Sequence, residues 1–164
     1  MKTLYLRKIN INIIILFLLS IISLASPIII HYFGLRGNEF LPIFFALSLG
    51  AYILNPLFLI LLSVISPILN YTLTNMPMPP ILYFLIFEGI VFAFIISMLK
   101  NKNVSFILLS LSALILARLS SIVLTFIFDI NINTWIRGII LGYKGIIVNW
   151  AFASIMYIIF KKYN

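Results

Sequence analysis

Residues 80–99 read PILYFLIFEGIVFAFIISML, an apolar run that a single charged residue, Glu88, interrupts. A helix needs about 20 consecutive apolar residues to cross the hydrocarbon core of a bilayer, so this run predicts a transmembrane helix. Proline suits the start of such a helix, because the first turn has no use for its missing N–H group. The stretch therefore predicts a chain that folds in lipid, and it raises the question of what an acid does there.

The composition of the whole chain agrees with a membrane protein. Of its 164 residues, 64% are hydrophobic and 9% are charged, and the mean hydropathy is +1.25. Soluble domains are about half apolar and a quarter charged, and a fold in water could not cover this much apolar surface. The length suits one compact bundle, so we expect residues 1–164 to form a single integral membrane domain.

We predict an all-α fold with six transmembrane helices in one bundle. The N-terminal segment resembles a signal peptide in its basic start, but its apolar run is too long, and we expect it to be the first helix. The start of the sixth helix is open, because residues 139–147 suit a loop, a half-helix or a first turn. The predicted spans are residues 9–30, 41–54, 56–70, 80–99, 104–128 and a last one that ends near Phe160.

The distribution of lysine and arginine predicts the orientation. Cytoplasmic loops carry an excess of these residues. With six spans, seven of them lie on the side that holds both termini and three lie on the other side, so we expect both termini in the cytoplasm. The first group is Lys2, Arg7, Lys8, Lys100, Lys102, Lys161 and Lys162, and the second is Arg36, Arg137 and Lys144.

The longer loops, residues 31–40, 71–79 and 129–138, then all face outward. They hold most of the polar and aromatic groups outside the spans, which indicates a functional outer surface. Trp135 and Tyr83 suit either an interfacial anchor or a stacking surface for a ligand. His31 is expected to be a surface residue.

Glu88 and Arg118 are the two clear charges inside predicted spans, where charge is costly and usually paired or functional. At a rise of ~1.5 Å per residue, they lie about 12 Å and 15 Å from the outer ends of their helices. They can therefore pair or share a ligand if their helices are neighbours. Asn149 lies at a similar depth. The alternative is a purely structural ion pair that joins two helices.

Catalytic motifs are absent from the sequence. The chain has no cysteine, one histidine, one aspartate, no closely spaced carboxylates and no Walker motif. Basic residues interleaved with aromatic ones, as in nucleic-acid surfaces, are also absent. We expect a protein that is not an enzyme and that takes no cofactor, metal or nucleic acid.

Several short motifs together resemble a known family. They are GLRGNEFLP (34–42), GA (50–51), SPILN (66–70), NMPMPP (75–80), FEG (87–89) and ARL (117–119). Their order resembles the substrate-binding S components of energy-coupling factor (ECF) vitamin transporters. Such proteins are multi-pass subunits of the cell membrane with six helices.

This resemblance implies a function and a set of partners. The S component captures a vitamin-like molecule from outside and releases it inside, when a transmembrane coupling protein and two ATP-binding subunits topple it in the lipid bilayer. The resemblance also implies a lid in the first outer loop. The candidate substrate-binding residues are Glu88, Arg118, Asn75, Met76, Pro80, Tyr83, Asn149 and Trp135, and the candidate lid residues are Gly34, Arg36, Gly37 and Asn38.

Two points stay open in the sequence. One acid and one arginine suit a zwitterion, an acidic vitamin or a heterocycle equally well. A membrane scaffold of the rod-shape-determining type has a similar length and span count, and is the alternative to a transport protein.

Overall fold

The structure is a computed structural model that describes residues 2–102 and 104–161, with side chains from Ile9 onward. Within these residues the chain is helical and no strand occurs. The side chains of Lys2, Arg7 and Lys8, and all of Lys162, lie outside the described part, so it does not cover these four residues of the orientation prediction. The helices are α1 (Lys2–Tyr32), α2 (Gly37–Phe40), α3 (Ile43–Ile53), α4 (Pro56–Thr74), α5 (Ile81–Leu99), α6 (Phe106–Ser120), α7 (Ile122–Ile127), α8 (Ile132–Leu141) and α9 (Tyr143–Lys161).

Five segments of the described chain are long and apolar enough to cross a membrane. They are Ile9–Tyr32, Pro56–Thr74, Ile81–Leu99, Phe106–Ile127 and Tyr143–Lys161. The prediction of an all-α membrane bundle is confirmed. The remaining predicted span, residues 41–54, corresponds to α3, whose 11 residues extend only about 16 Å. The number of six spans therefore stays a prediction.

The short helix α3 lies in the middle of the bundle. It packs against α1, α4, α5 and α9, and seven of its 11 residues are buried. Leu54 and Asn55 separate it from α4, which begins at Pro56, at the break that the sequence predicts. Polar side chains from other segments form hydrogen bonds with the backbone at this break. The Lys100 ammonium donates to the Leu54 carbonyl at 2.7 Å, and the Asn12 side chain accepts from the Asn55 N–H at 3.0 Å. Backbone groups inside a membrane protein need such partners, because lipid offers none.

The longer helices surround α3, and polar contacts join several of them. Successive neighbours around the bundle are α1, α4, α5, α6 and α9. The buried Asn70 amide of α4 donates to the Ser23 carbonyl of α1 at 3.1 Å. The Trp150 indole of α9 donates to the Ile107 carbonyl of α6 at 2.9 Å. Helices in lipid associate through close packing and such hydrogen bonds, since apolar contact alone favours them little over lipid.

The outer segments differ from the sequence prediction in three places. Residues 129–138 were expected to be a loop, but α8 begins at Ile132, after the Asn131 side chain accepts the Asn133 N–H at 2.8 Å. This Asn cap is a standard start signal for a helix, so the loop prediction was wrong there. Helix α4 continues to Thr74, which shortens the next loop. The fifth predicted span is divided at Ser121 into α6 and α7.

Gly89 permits the close approach of α5 to α4 and α3, which gives a test of the packing. A Cβ atom at Gly89 would lie 2.9 Å from the Ser63 Cβ and 3.3 Å from a Leu47 methyl group. We expect Gly89→Ala to lower the free energy of unfolding by about 1–3 kcal/mol, the usual cost of overpacking. Thermal unfolding in detergent measures the effect.

Gly138→Ala is the matched control. A Cβ atom there meets nothing within 4 Å, and alanine favours a helix interior by up to ~1 kcal/mol over glycine. The control protein should therefore unfold at or slightly above the temperature of the unchanged protein. Equal unfolding temperatures for both variants would contradict the close approach at Gly89.

Candidate functional site

A cavity of about 1160 Å³ lies at the end of the bundle that holds the predicted outer loops. Its wall comes from the end of α1, the segment through α2 to α3, the α4–α5 loop, the first half of α5, and α8, with Arg118 from α6. Most of this wall is apolar. The lining residues are Pro27, Ile28, His31, Gly34, Leu35, Arg36, Gly37, Asn38, Leu41, Pro42, Ile43, Thr74, Met76, Pro77, Pro80, Ile81, Phe84, Leu85, Glu88, Arg118, Ile130, Thr134, Trp135, Arg137, Gly138 and Leu141.

An ion pair between Glu88 and Arg118 forms part of this wall. The Arg118 Nη1 donates to the Glu88 Oε2 at 2.8 Å, and the side chains are 13% and 2% exposed, respectively. The two charges lie at matching depth, and α5 and α6 are neighbours, which is the condition that the sequence set for their contact. Arg118 also donates from Nη2 to the Gly138 carbonyl at 3.0 Å, and so links α6 to α8 as well as to α5. Its buried Nε has no hydrogen-bond partner among the described residues.

Most of the predicted site residues border this one cavity. Glu88, Arg118, Met76, Pro80 and Trp135 line it, together with the four residues of the predicted lid, Gly34, Arg36, Gly37 and Asn38. Trp135 is oriented by a hydrogen bond from its indole Nε1 to the Ser121 Oγ at 3.1 Å. The structure brings these residues together, and their part in binding stays a prediction.

Three predicted site residues lie elsewhere. Asn149 is fully buried between α3 and α9: its Oδ1 accepts from the Ser48 Oγ at 3.0 Å and its Nδ2 donates to the Gly145 carbonyl at 2.8 Å. Tyr83 stacks on Phe128 with ring centroids 5.4 Å apart, outside the cavity wall. Asn75 ends α4 in the left-handed conformation, with φ of 56°. Asn149 and Asn75 thus have structural roles in this fold.

Other lining residues were missed at the sequence level, and the largest group comes from α8. Beside the predicted Trp135, the α8 residues Thr134, Arg137, Gly138 and Leu141 border the cavity. These four lie at spacings of three, four and seven residues from Thr134, which is the pattern of one helical face. The pattern is present in the sequence, but it becomes visible only when residues 132–141 are taken as a helix. His31 also lines the cavity, although the sequence suggested only a surface residue.

The segment between α1 and α3 is anchored to α9 at one end and begins with a turn at Gly34. Lys144 of α9 donates to Glu39 of α2 at 2.8 Å, and this contact holds the pKa of the Glu39 carboxyl below its usual value. Gly145 of α9 lies against the Phe40 backbone so closely that a Cβ atom would be 2.7 Å away. At the other end, Gly34 has a φ of 69°, a conformation that glycine adopts readily.

The arrangement suits the binding of a small molecule. Among the described residues, no three His, Asp, Glu or Cys side chains lie together as metal ligands. A large, mostly apolar cavity with a few convergent polar groups is the usual form of a small-molecule site.

No protein-family model, no curated protein and no solved structure matches this chain.

The contribution of the ion pair to stability can be tested by substitution of one or both partners. Removal of one partner leaves a buried charge without compensation, so Arg118→Ala should lower the free energy of unfolding by about 3–5 kcal/mol. The double variant Glu88→Leu with Arg118→Met removes both charges and should recover most of this loss. Thermal unfolding in detergent would compare the variants. A double variant that is no more stable than Arg118→Ala would contradict the pairing.

Proposed function

We propose that this chain is the high-affinity substrate-binding subunit, or S component, of an ECF-type importer in a prokaryotic cell membrane. In this proposal it captures a vitamin or a related small molecule from outside the cell. It releases the molecule inside when it is coupled to a transmembrane protein and two ATP-binding subunits. The motifs in residues 34–42, 75–80 and 87–89, which resemble those of S components, support this assignment.

The observation that carries the proposal is the cavity at the predicted outer end of the bundle. Typical small-molecule pockets have volumes of about 300–1000 Å³, and a cavity of about 1160 Å³ suits a ligand of vitamin size. Apolar walls would cover the body of such a ligand. The Glu88–Arg118 pair supplies hydrogen-bonding groups at the inner part of the wall, where they can fix its orientation.

The need for partners follows from the sequence. The chain contains no Walker motif, so the energy for uptake against a gradient must come from other subunits. Its exposed apolar surface along α1 offers ample area for contact with lipid or with a transmembrane partner.

A membrane scaffold of the rod-shape-determining type is the second candidate. One observation favours it: Glu88 and Arg118 bind each other directly and join α5 to α6, as a structural pair would. A scaffold has no need of a cavity of this size, however. Ligand binding therefore separates the two candidates.

The deciding experiment is a thermal-shift screen of the detergent-purified protein against water-soluble vitamins and their precursors. A ligand at a thousandfold excess over Kd stabilises the folded state by about 4 kcal/mol, which is a large shift for a protein of this size. We expect one strong hit. An absence of any shift would contradict the transport proposal and favour the scaffold.

Two substitutions then test the site. Glu88→Gln and Arg118→Ala should each weaken binding of the hit by about tenfold or more, which corresponds to 1.4 kcal/mol. Binding to the folded variants can be measured by titration calorimetry. Unchanged affinity in both would reject the cavity as the binding site and leave the ion pair with a structural role.

A further inference from the structure

We propose that the ligand of the cavity carries an anionic group, a carboxylate or a phosphate, which binds to Arg36 and Arg137. This inference rests on the proposed function and narrows its substrate class. From the sequence alone, the ligand could be a zwitterion, an acid or a heterocycle. The positions of these two arginines in the cavity wall favour an anionic ligand over the other classes.

The charges in the cavity wall do not balance. The charged residues of the wall are Arg36, Arg118, Arg137 and Glu88. Glu88 and Arg118 neutralise each other through their contact at 2.8 Å. Arg36 and Arg137 remain, and arginine stays protonated in proteins. The wall therefore has an excess of two positive charges.

No acid of the chain offsets these two arginines by a direct contact. Neither Arg36 nor Arg137 forms an ion pair or a side-chain hydrogen bond with another described residue. The chain has only three acids. Of those other than Glu88, Glu39 binds Lys144 at 2.8 Å and interacts with the charge of Arg36 only at longer range, and Asp129 is not part of the cavity wall.

Membrane topology does not account for the two arginines either. In the predicted orientation they lie on the outer side, against the general preference for basic residues in cytoplasmic loops. They come from different parts of the chain, one before α2 and one within α8, and meet at the same cavity. A role in the cavity explains why both occur on this side.

The chemistry of the guanidinium group identifies the ligand group. Its planar array of N–H donors matches carboxylate and phosphate oxygens, and charge-assisted bonds of this kind are the stronger ones. A cleft with one sign of charge and apolar walls concentrates its field and attracts an oppositely charged ligand. The rest of the ligand would contact the apolar wall, which includes Phe84 and Leu85.

The test compares matched compounds that differ in one anionic group. The purified protein in a neutral detergent would be titrated with nicotinate and nicotinamide, biotin and biotinamide, pantothenate and panthenol, and pyridoxal phosphate and pyridoxal. Thiamine serves as a cation, and phosphatidylglycerol as an anionic lipid. We expect one acid or phosphate to bind at least about tenfold more tightly than its neutral partner, a difference of 1.4 kcal/mol.

Two variants and a control test whether Arg36 and Arg137 bind the anionic group. Arg36→Gln and Arg137→Gln should each weaken binding of the anionic compound by about two- to fivefold, as expected for exposed ion pairs. The loss should shrink at high salt, because salt screens exposed charges. Lys102→Gln removes the same charge at the opposite end of α5, outside the cavity, and should leave affinity unchanged.

The outcomes separate the inference from the proposed function. A neutral compound or thiamine that binds as tightly as any anion would overturn the inference and retain the transport proposal. Stabilisation by phosphatidylglycerol with no effect of the soluble anions would also overturn it. A panel without any binding would count against the proposed function itself, and the inference would fall with it.

Discussion

The ion pair between Glu88 and Arg118 is the contact on which the cavity end of this bundle depends most. A lone charge in the hydrocarbon region is costly, and two opposite charges at the same depth lower this cost when they meet. Their contact at 2.8 Å joins α5 to α6. The second guanidinium nitrogen reaches the Gly138 carbonyl and so links α6 to α8. These two contacts join parts of the cavity wall, because Glu88, Arg118 and Gly138 all line it.

The inner part of the bundle obeys a second constraint, that buried polar groups need partners within the protein. Helix α3 is short and mostly enclosed, and Leu54 at its end is buried. Lys100 and Asn12 supply the missing donor and acceptor. Ser48 and Asn149 join α3 to α9 in the same way. These contacts select one packing among many that apolar surfaces in lipid would accept.

The sequence was most informative where a local signal has one physical meaning. Asn55-Pro56 ends one helix and starts the next, and Pro80 precedes another, as the structure has them. The depth of Glu88 and Arg118 follows from the rise of a helix, so the sequence showed that they could pair or share a ligand if their helices were neighbours. The all-α membrane bundle could thus be predicted in outline.

The sequence was less informative about the rotation of each helix around its own axis. Helical rise gave the level of Asn149 but not the side of α9 on which it lies, and the structure turns it toward α3. Apolar residues give little help, since lipid-facing and buried surfaces have a similar composition in a membrane protein. Most of α8 was expected to be a loop, and two of its residues, Asn133 and Gly138, are weak helix formers. Because residues 132–141 were not recognised as a helix, the sequence did not show that Thr134 and Arg137 lie on one helical face.

The account depends most on the cavity being open to the outside of the cell. The chain has no cysteine, so a single one can be introduced at Thr134 in the cavity wall and, separately, at Lys102 at the other end of α5. Intact cells that produce each variant would be treated with a maleimide that does not cross membranes. The account predicts labelling of Thr134→Cys on intact cells and of Lys102→Cys only after lysis. The reverse labelling pattern would show that the cavity faces the cytoplasm, which would contradict uptake from outside.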